Sequence, residues 1–235
     1  MPGRIDSRIR PRLRPAVVGR PPAAEREARR RDRAEVLLDA AEAAVRDQGE
    51  AVTMAEMAAR AGITKPVLYR YFGDRSGLYE ALAVRYATGL LGELRQAMAQ
   101  RPAGRATLEE GIDAYLRYTE ANVQLYRFLA TRLPAADPAG QKLVSGFLTG
   151  MADEVSRILR ESLQLAGIEA RATMLLGYAI TGSVQMGAEA WISEQGRMGR
   201  SQAVTNLTDL VWHGLIGVLT NQAPEVPEEA REETH

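Results

Sequence analysis

The chain has 235 residues, 46% of them hydrophobic and 26% charged, with thirty basic residues balanced by thirty acidic ones. That is enough for one sizeable core or two small domains. There is no cysteine, which excludes a disulfide framework, thiolate-bound zinc and thiol catalysis. With His213 and His235 as the only imidazoles, neither a metal nor another cofactor is expected.

Charge is distributed unevenly along the chain. Residues 1–33 hold eleven arginines against Asp6, Glu25, Glu27 and Asp32, whereas residues 222–235 set five glutamates against Arg231. Residues 1–24 are expected to form a disordered Arg-rich tail, because their prolines break an amphipathic helix. Its one apolar patch, Pro15–Gly19, is too short for a secretory signal. Residues 222–235 are expected to be an acidic disordered tail. The longest charge-free stretch, Ala172–Ala188, falls short of a bilayer span, so it reads as a helix buried in protein. No membrane partner is expected, and the expected location is cytoplasmic.

Helical periodicity recurs along the rest of the chain, and no convincing alternating strand interrupts it. A first helix over 25–48 lines up Val36, Leu37, Ala40, Ala41, Ala44 and Val45 and stops at Gly49. Two short helices follow within residues 51–72. Asp74 then caps a helix over 75–100 that carries Leu78, Leu82, Tyr86, Leu90, Leu94 and Met98 in register and closes at Arg101-Pro102. Beyond the linker RPAGRAT come helices near 107–120 and 122–132, then the interior break LPAADPAG. The most periodic helix, 139–166, ends at Gly167, and helices near 169–194 and 201–221 complete nine. The pattern predicts an all-α protein: an N-terminal helical unit over 25–76 and a larger one over 77–221.

The stretch AVTMAEMAARAGITKPVLYRYF, residues 51–72, carries the most specific chemistry. Thr53-Met54-Ala55-Glu56 is a capping-box pattern that starts a helix at 54. Gly62 permits the positive φ of a tight turn, Thr64 is placed to cap the next helix, and Pro66 sits in its first turn, where a missing amide hydrogen costs nothing. Ala58 sits where the two helices cross, and Met57, Ala61, Ile63, Leu68 and Phe72 can form a shared core. Lys65, Tyr69, Arg70 and Tyr71 are left over. A short helix with such an exposed face fits the DNA major groove, where Lys and Arg reach guanine acceptors or phosphates and tyrosine hydroxyls bond phosphate oxygens. Arg75 follows at the start of another helix, where it opposes the helix dipole unless an anion is bound nearby.

The same pattern also suits an ordinary αα-hairpin. A non-enzymatic helical interaction scaffold would explain the helices but not Lys65, Tyr69, Arg70 and Arg75 together. An enzyme would need convergent titratable groups, and the sequence offers no paired-carboxylate or histidine constellation.

The segment RDQGEAVTMAEMAARAGITKPVLYRYFGDRSGLYEALA, residues 46–83, resembles the TetR-type transcriptional regulators. They share the glycine, the Thr-capped helix with Ala-x-x-x-Gly, and Leu-Tyr-x-x-Phe before a charged turn. The likeness extends over Arg33 to Leu82. It implies that Thr53 and Thr64 contact backbone phosphate, that Lys65, Pro66, Val67 and Arg70 face base edges, and that Tyr69 and Tyr71 occupy backbone-contacting aromatic positions. Arg75 stands where such proteins usually carry a phosphate-contacting lysine. Lys65-Pro66 replaces the usual Gly-Thr or Gly-Ser opening of the recognition helix, which bears on operator sequence rather than on the mode of binding.

The resemblance further implies a ligand-responsive regulator, most simply a homodimeric repressor of a palindromic operator. A small apolar or amphipathic effector would release it by moving the 75–100 helix; a corepressor-type or activator response is the alternative. Candidate pocket residues are Tyr86, Tyr115, Tyr118, Tyr126, Phe128, Phe147, Met151, Met174, Tyr178, Gln185, Met186 and Trp191, all of which also suit ordinary core. Candidate dimer-interface residues are Gly177 and Gly182 on the 169–194 helix and Val204, Leu207, Val211, Leu215 and Val218 on the 201–221 helix. The tail arginines 4, 8, 10, 12 and 14 suit a solvated extension or an arm along DNA phosphates.

Overall fold

The computed structural model describes residues 22–98, 104–132, 138–165, 172–194 and 197–221. Residues 1–21 of the tail expected over 1–24, the tail expected at 222–235, the helix closure at Arg101-Pro102, residues 133–137 of the LPAADPAG break and the stop at Gly167 lie outside the described residues, whereas Ala23 and Ala24 of the expected tail belong to the first helix. Nine α-helices are present among those described: α1 Ala23–Gln48, α2 Met54–Arg60, α3 Lys65–Phe72, α4 Arg75–Met98, α5 Arg105–Ala121, α6 Val123–Arg132, α7 Pro138–Leu165, α8 Thr173–Ser193 and α9 Arg200–Asn221. A single 3-10 turn, Gly49–Ala51, joins α1 to α2. None of these helices is long and apolar enough to cross a membrane.

The short helices owe their boundaries to local chemistry. Thr53 and Glu56 close the capping box: the Glu56 amide donates to the Thr53 hydroxyl at 3.3 Å, and the Thr53 amide donates to the Glu56 carboxylate at 2.8 Å. At the other end of α2, Gly62 adopts φ 66°, the Ile63 amide reaches back to the Ala58 carbonyl at 3.0 Å, and the Gly62 amide reaches the Ala59 carbonyl at 3.0 Å. This is a Schellman motif, and it ends the helix where only glycine sits without strain. Gly73, at φ 82°, ends α3. Asp74 Oδ1 then accepts the Gly77 amide at 2.9 Å and caps α4.

The N-terminal helices share a core made of Leu37, Ala41 and Val45 from α1, Met57 and Ala58 from α2, Leu68 from α3, and Leu78 and Leu82 from α4, all essentially inaccessible. Further along, α4 buries Leu90 and Leu94 in the larger helical unit. That unit contains α5 packed on α4 and α9, and α7 packed along α8. The helix α6 lies over the α1–α2 junction. Arg132 there donates to the Glu50 carbonyl at 2.8 Å, and Phe128 meets Tyr79 of α4 edge-on at 5.0 Å.

Several expectations about the outer helices are corrected. Gly177 faces α7, where an added Cβ would lie 2.1 Å from Ser156 Oγ and 2.8 Å from the Ser156 amide nitrogen; it serves the α7–α8 contact within the chain. Val204 and Val211 are buried in the chain's own core, and Leu207 is half-buried against Gly187. Gly177, Val204 and Val211 are therefore taken up by the chain's own packing and do not supply an intersubunit face. Gly182 does have an open side, Leu215 is half-buried, and Val218 is exposed.

Close packing at Gly177 gives the first prediction. Gly177→Ala lowers the thermal unfolding midpoint, because the α7 backbone has to move to admit one methyl group. Gly92→Ala on α4, where nothing lies within 4 Å, raises stability by about 0.5–1 kcal/mol through helix propensity. Thermal denaturation of both variants checks the opposite signs.

Candidate nucleic-acid interface

The α3 helix is two turns long and held by one fully buried side chain, Leu68, with Phe72 half-buried beside it. Tyr69, Tyr71 and Val67 are half-buried along its flanks, while Lys65, Pro66 and Arg70 are exposed. The Lys65 ammonium lies 5.5 Å from the centre of the Tyr69 ring, a cation–π contact that keeps the flexible side chain along the helix. Arg75 is exposed at the first turn of α4. Lys65, Pro66, Arg70 and Arg75 are thus all presented to solvent, the three charged side chains with their polar ends free of the core.

The two threonines behave differently from expectation. Both donors of Thr53 are held by the Glu56 carboxylate, the hydroxyl at 2.7 Å and the amide at 2.8 Å. The Thr53 hydroxyl hydrogen bond holds the Glu56 carboxyl below its usual range. A carboxylate therefore already occupies the place where Thr53 was expected to meet a phosphate, and Thr53 is reassigned to holding α2. Thr64 stands at the N-cap with φ −93° and ψ 155° but makes no side-chain capping bond. Its hydroxyl is not tied up in starting α3, contrary to the capping role expected of it.

Three residues essential to this geometry were not singled out by the sequence. Gly77 lets α4 pass the end of α3, since a Cβ there would sit 2.0 Å from the Phe72 carbonyl oxygen. Arg30 of α1 donates to the Arg70 carbonyl at 3.4 Å, one of the last carbonyls of α3, which lack partners within the helix. Arg85 of α4 binds Glu35 and Asp39 of α1, with Glu42 at 3.6 Å. Only the Gly77 position had a local signal, a capping aspartate three residues earlier; the arginine partners lie 40 to 50 residues away.

The pocket candidates divide into groups. Tyr86 is buried at the centre of one, with Tyr118 at 5.2 Å and Tyr126 at 6.4 Å between ring centres. Tyr115 is buried nearby, and burial pushes the hydroxyl pKa of all four tyrosines up. Phe128 belongs instead to the contact with Tyr79. Met151 is core; Gln185 and Trp191 are half-buried, the indole donating to the Met198 carbonyl at 2.8 Å. Met174 and Met186, 65% and 63% exposed, and Tyr178 face outward from α8, which corrects their assignment to an internal pocket. The Phe147 side chain lies outside the described residues. An open groove of about 720 Å³ between α4, α5 and α9 contains none of these aromatics. It is polar: Arg117 pairs with Asp113 at 2.8 Å and Glu93 at 3.5 Å, and Arg200 pairs with Asp113 at 3.1 Å.

A helix, a glycine turn and a short exposed helix ahead of a larger helical unit can be compared with known proteins. The family model for bacterial regulatory proteins of the tetR family matches residues 37–82. The model for the tetracyclin repressor-like C-terminal domain matches residues 93–227. The chain belongs to the TetR family. This TetR-family regulator is 30% identical over 205 residues to an uncharacterised HTH-type transcriptional regulator of Mycobacterium tuberculosis, covering 87% of the chain and 85% of the relative. It is 26% identical over 183 residues to the HTH-type transcriptional activator FasR of Mycolicibacterium smegmatis, covering 78% and 82%. Its fold matches the transcriptional regulator FadR of Bacillus subtilis, solved in complex with stearoyl-CoA, with a TM-score of 0.64 at 15% identity over 77% of this chain and 98% of that one. In this TetR-family chain α2 and α3 are the helix-turn-helix.

The capping box supplies a pH-dependent prediction. Because the folded pKa of Glu56 is lowered, its contribution to stability is fully present above the ordinary glutamate pKa of about 4.3 and is lost as pH falls through the lowered value. Glu56→Gln therefore destabilises at pH ~7, and the gap to the parent protein narrows below pH ~4. Urea unfolding across that range measures it.

Proposed function

We infer that this TetR-family regulator is a homodimeric repressor of a palindromic operator, released by an apolar or amphipathic small molecule. The observation that carries this reading is the geometry of α3: Leu68 is fully buried, while Lys65, Pro66 and Arg70 point into solvent beside Arg75. In this reading residues 25–76 bind DNA and residues 77–221 bind the effector and dimerise, flanked by tails at 1–24 and 222–235. Lys65, Pro66, Val67 and Arg70 face base edges, and Thr64, Tyr69, Tyr71 and Arg75 meet phosphates. One short helix reads few base pairs, so two of them related by a twofold axis would read a palindrome.

Outward apolar side chains support the dimer. Met174, Leu175, Tyr178 and Met186 of α8 and Leu210, Ile216 and Val218 of α9 are exposed, and Gly182 and Gly214 offer open sides for close helix approach. The buried Tyr86 and Tyr115, with the half-buried Tyr118 and Tyr126 beside them, support an effector site bordered by α4, α5 and α6. The stearoyl-CoA held by the FadR relative makes a long-chain acyl thioester the first probe. The similarity to FasR, a transcriptional activator, favours a second reading, in which the same protein–DNA contact raises transcription.

Selection of duplexes from random sequence by the purified protein tests DNA recognition. Enrichment of one palindrome is expected; the absence of any would overturn the reading. On the selected duplex, Lys65→Ala and Arg70→Ala each weaken binding by about 1–3 kcal/mol and leave the unfolding midpoint nearly unchanged. Stearoyl-CoA raises the unfolding midpoint and lowers affinity for the duplex, and Tyr86→Ala removes the second effect. A ligand-induced rise in affinity would reverse the sense of regulation.

A further inference from the structure

The first fourteen residues of α1, Ala23–Val36, precede the segment matched by the family model, which starts at residue 37. From Leu37 onward the inward stripe of α1 is apolar: Leu37, Ala41 and Ala44 are buried. Followed backward at 3.6 residues per turn, that stripe passes through Arg33, Arg30 and Arg26, each within about 40° of Leu37 around the helix. The acidic residues of the same segment, Glu25, Glu27, Asp32 and Glu35, fall about 80° or more away. The segment is nearly balanced in charge, yet its charges are sorted by face. Where the stripe leaves the protein core, apolar residues give way to arginine.

That face is directed at the recognition helix. Arg30 reaches the Arg70 carbonyl at 3.4 Å, in the last turn of α3, so the overhang of α1 starts beside the recognition helix. Arg30 and Arg33 have no carboxylate within ion-pair distance among the described residues, whereas Arg29, off the stripe, is held by Glu25 at 2.5 Å. Three exposed guanidiniums in a row on one face of α1, with Arg30 touching the DNA-reading helix, match the regular negative charge of a DNA backbone.

We propose that Arg26, Arg30 and Arg33 of the α1 overhang form a phosphate-tracking flank that grips the DNA backbone outside the base pairs read by α3. This rests on the assignment of α3 as the recognition helix. The flank adds affinity without sequence preference, because phosphates are alike at every base pair. It also makes binding depend on duplex length: a duplex trimmed to the palindrome loses the flanking phosphates.

The test uses the full chain and the palindrome recovered by random selection, in long and trimmed duplexes, with affinity measured by fluorescence anisotropy from low to moderate salt. The triple variant Arg26→Ala/Arg30→Ala/Arg33→Ala is expected to flatten the slope of log affinity against log salt by about 2–3 on the long duplex, at about 0.9 per phosphate released. Its preference for the palindrome over a scrambled duplex stays intact. The matching triple lysine variant restores the slope, since charge rather than helix shape is responsible, and Arg29→Ala/Arg31→Ala on the other faces leaves it unchanged. A triple alanine variant that selects the same palindrome with an unchanged slope overturns the flank and leaves α3 as the reader. If the parent protein enriches no palindrome, the assignment of α3 fails, and the flank fails with it.

Discussion

One helix runs the length of the hydrophobic core, from the N-terminal helices into the larger helical unit, and the rest of the structure is arranged around that constraint. The α4 helix is 24 residues, about 36 Å at 1.5 Å per residue. Its first half places Leu78 and Leu82 against α1 and α3; its second half places Leu90 and Leu94 in the larger unit. A continuous helix bends only gently with its hydrogen bonds intact, so a tilt at one end is carried to the other. Arg85, near its middle, ties it to Glu35, Asp39 and Glu42 of α1. Two of those carboxylates are largely exposed, so the cluster contributes orientation more than stability. A second support runs through α6, whose Arg132 holds the Glu50 carbonyl and whose Phe128 meets Tyr79. Two supports fix a direction as well as a position. A ligand that shifted α4 relative to α6 would therefore rotate α3, which is what an operator-spacing switch requires.

Much of this was legible in the sequence, for a chemical reason. Helix ends are written in single residues: the Thr53–Glu56 box, Gly62, Gly73 and Asp74 each act over three or four positions and leave a local trace. The division of α3 into an anchored side and an exposed side followed from the spacing of Leu68 and Phe72. Thr64 shows the limit of such reading. A threonine before a helix start is a cap by statistics, yet here the hydroxyl makes no such bond.

What stayed hidden depends on faces and on distance. The α8 helix is apolar on nearly every side, so periodicity could not say which residues turn inward. The structure puts Gly177 against Ser156 and leaves Gly182 open, five positions apart on one helix. Met174 and Met186 look like pocket residues by composition and stand in solvent. On α9 the regular series from Val204 to Val218 suggested a single interface, but Val204 and Val211 fill the chain's own core while Leu210, outside the series, is exposed. The Arg85 cluster and the Arg30–Arg70 contact join residues 40 or more positions apart, and no local pattern encodes such a pairing.

The outward faces of α8 and α9 close the physical account. Leu175 and Leu210 are 70% and 66% exposed, and they are accompanied by methionine, tyrosine, isoleucine and valine on two adjacent helices. Apolar surface left in water costs about 25 cal/mol per Å², and burying the same patch on two copies about a twofold axis removes that cost twice with one set of side chains. The same twofold axis would set the separation of the two α3 helices. Dimer packing and operator spacing would then be one geometric quantity, and α4, which packs on both units, is the element through which an effector could change it. The arginine flank on α1 fits this arrangement as well: it lies beside α3, so it moves with the recognition helix as a unit. It would add affinity to whichever spacing the dimer presents and leave the choice of sequence to Lys65, Pro66 and Arg70.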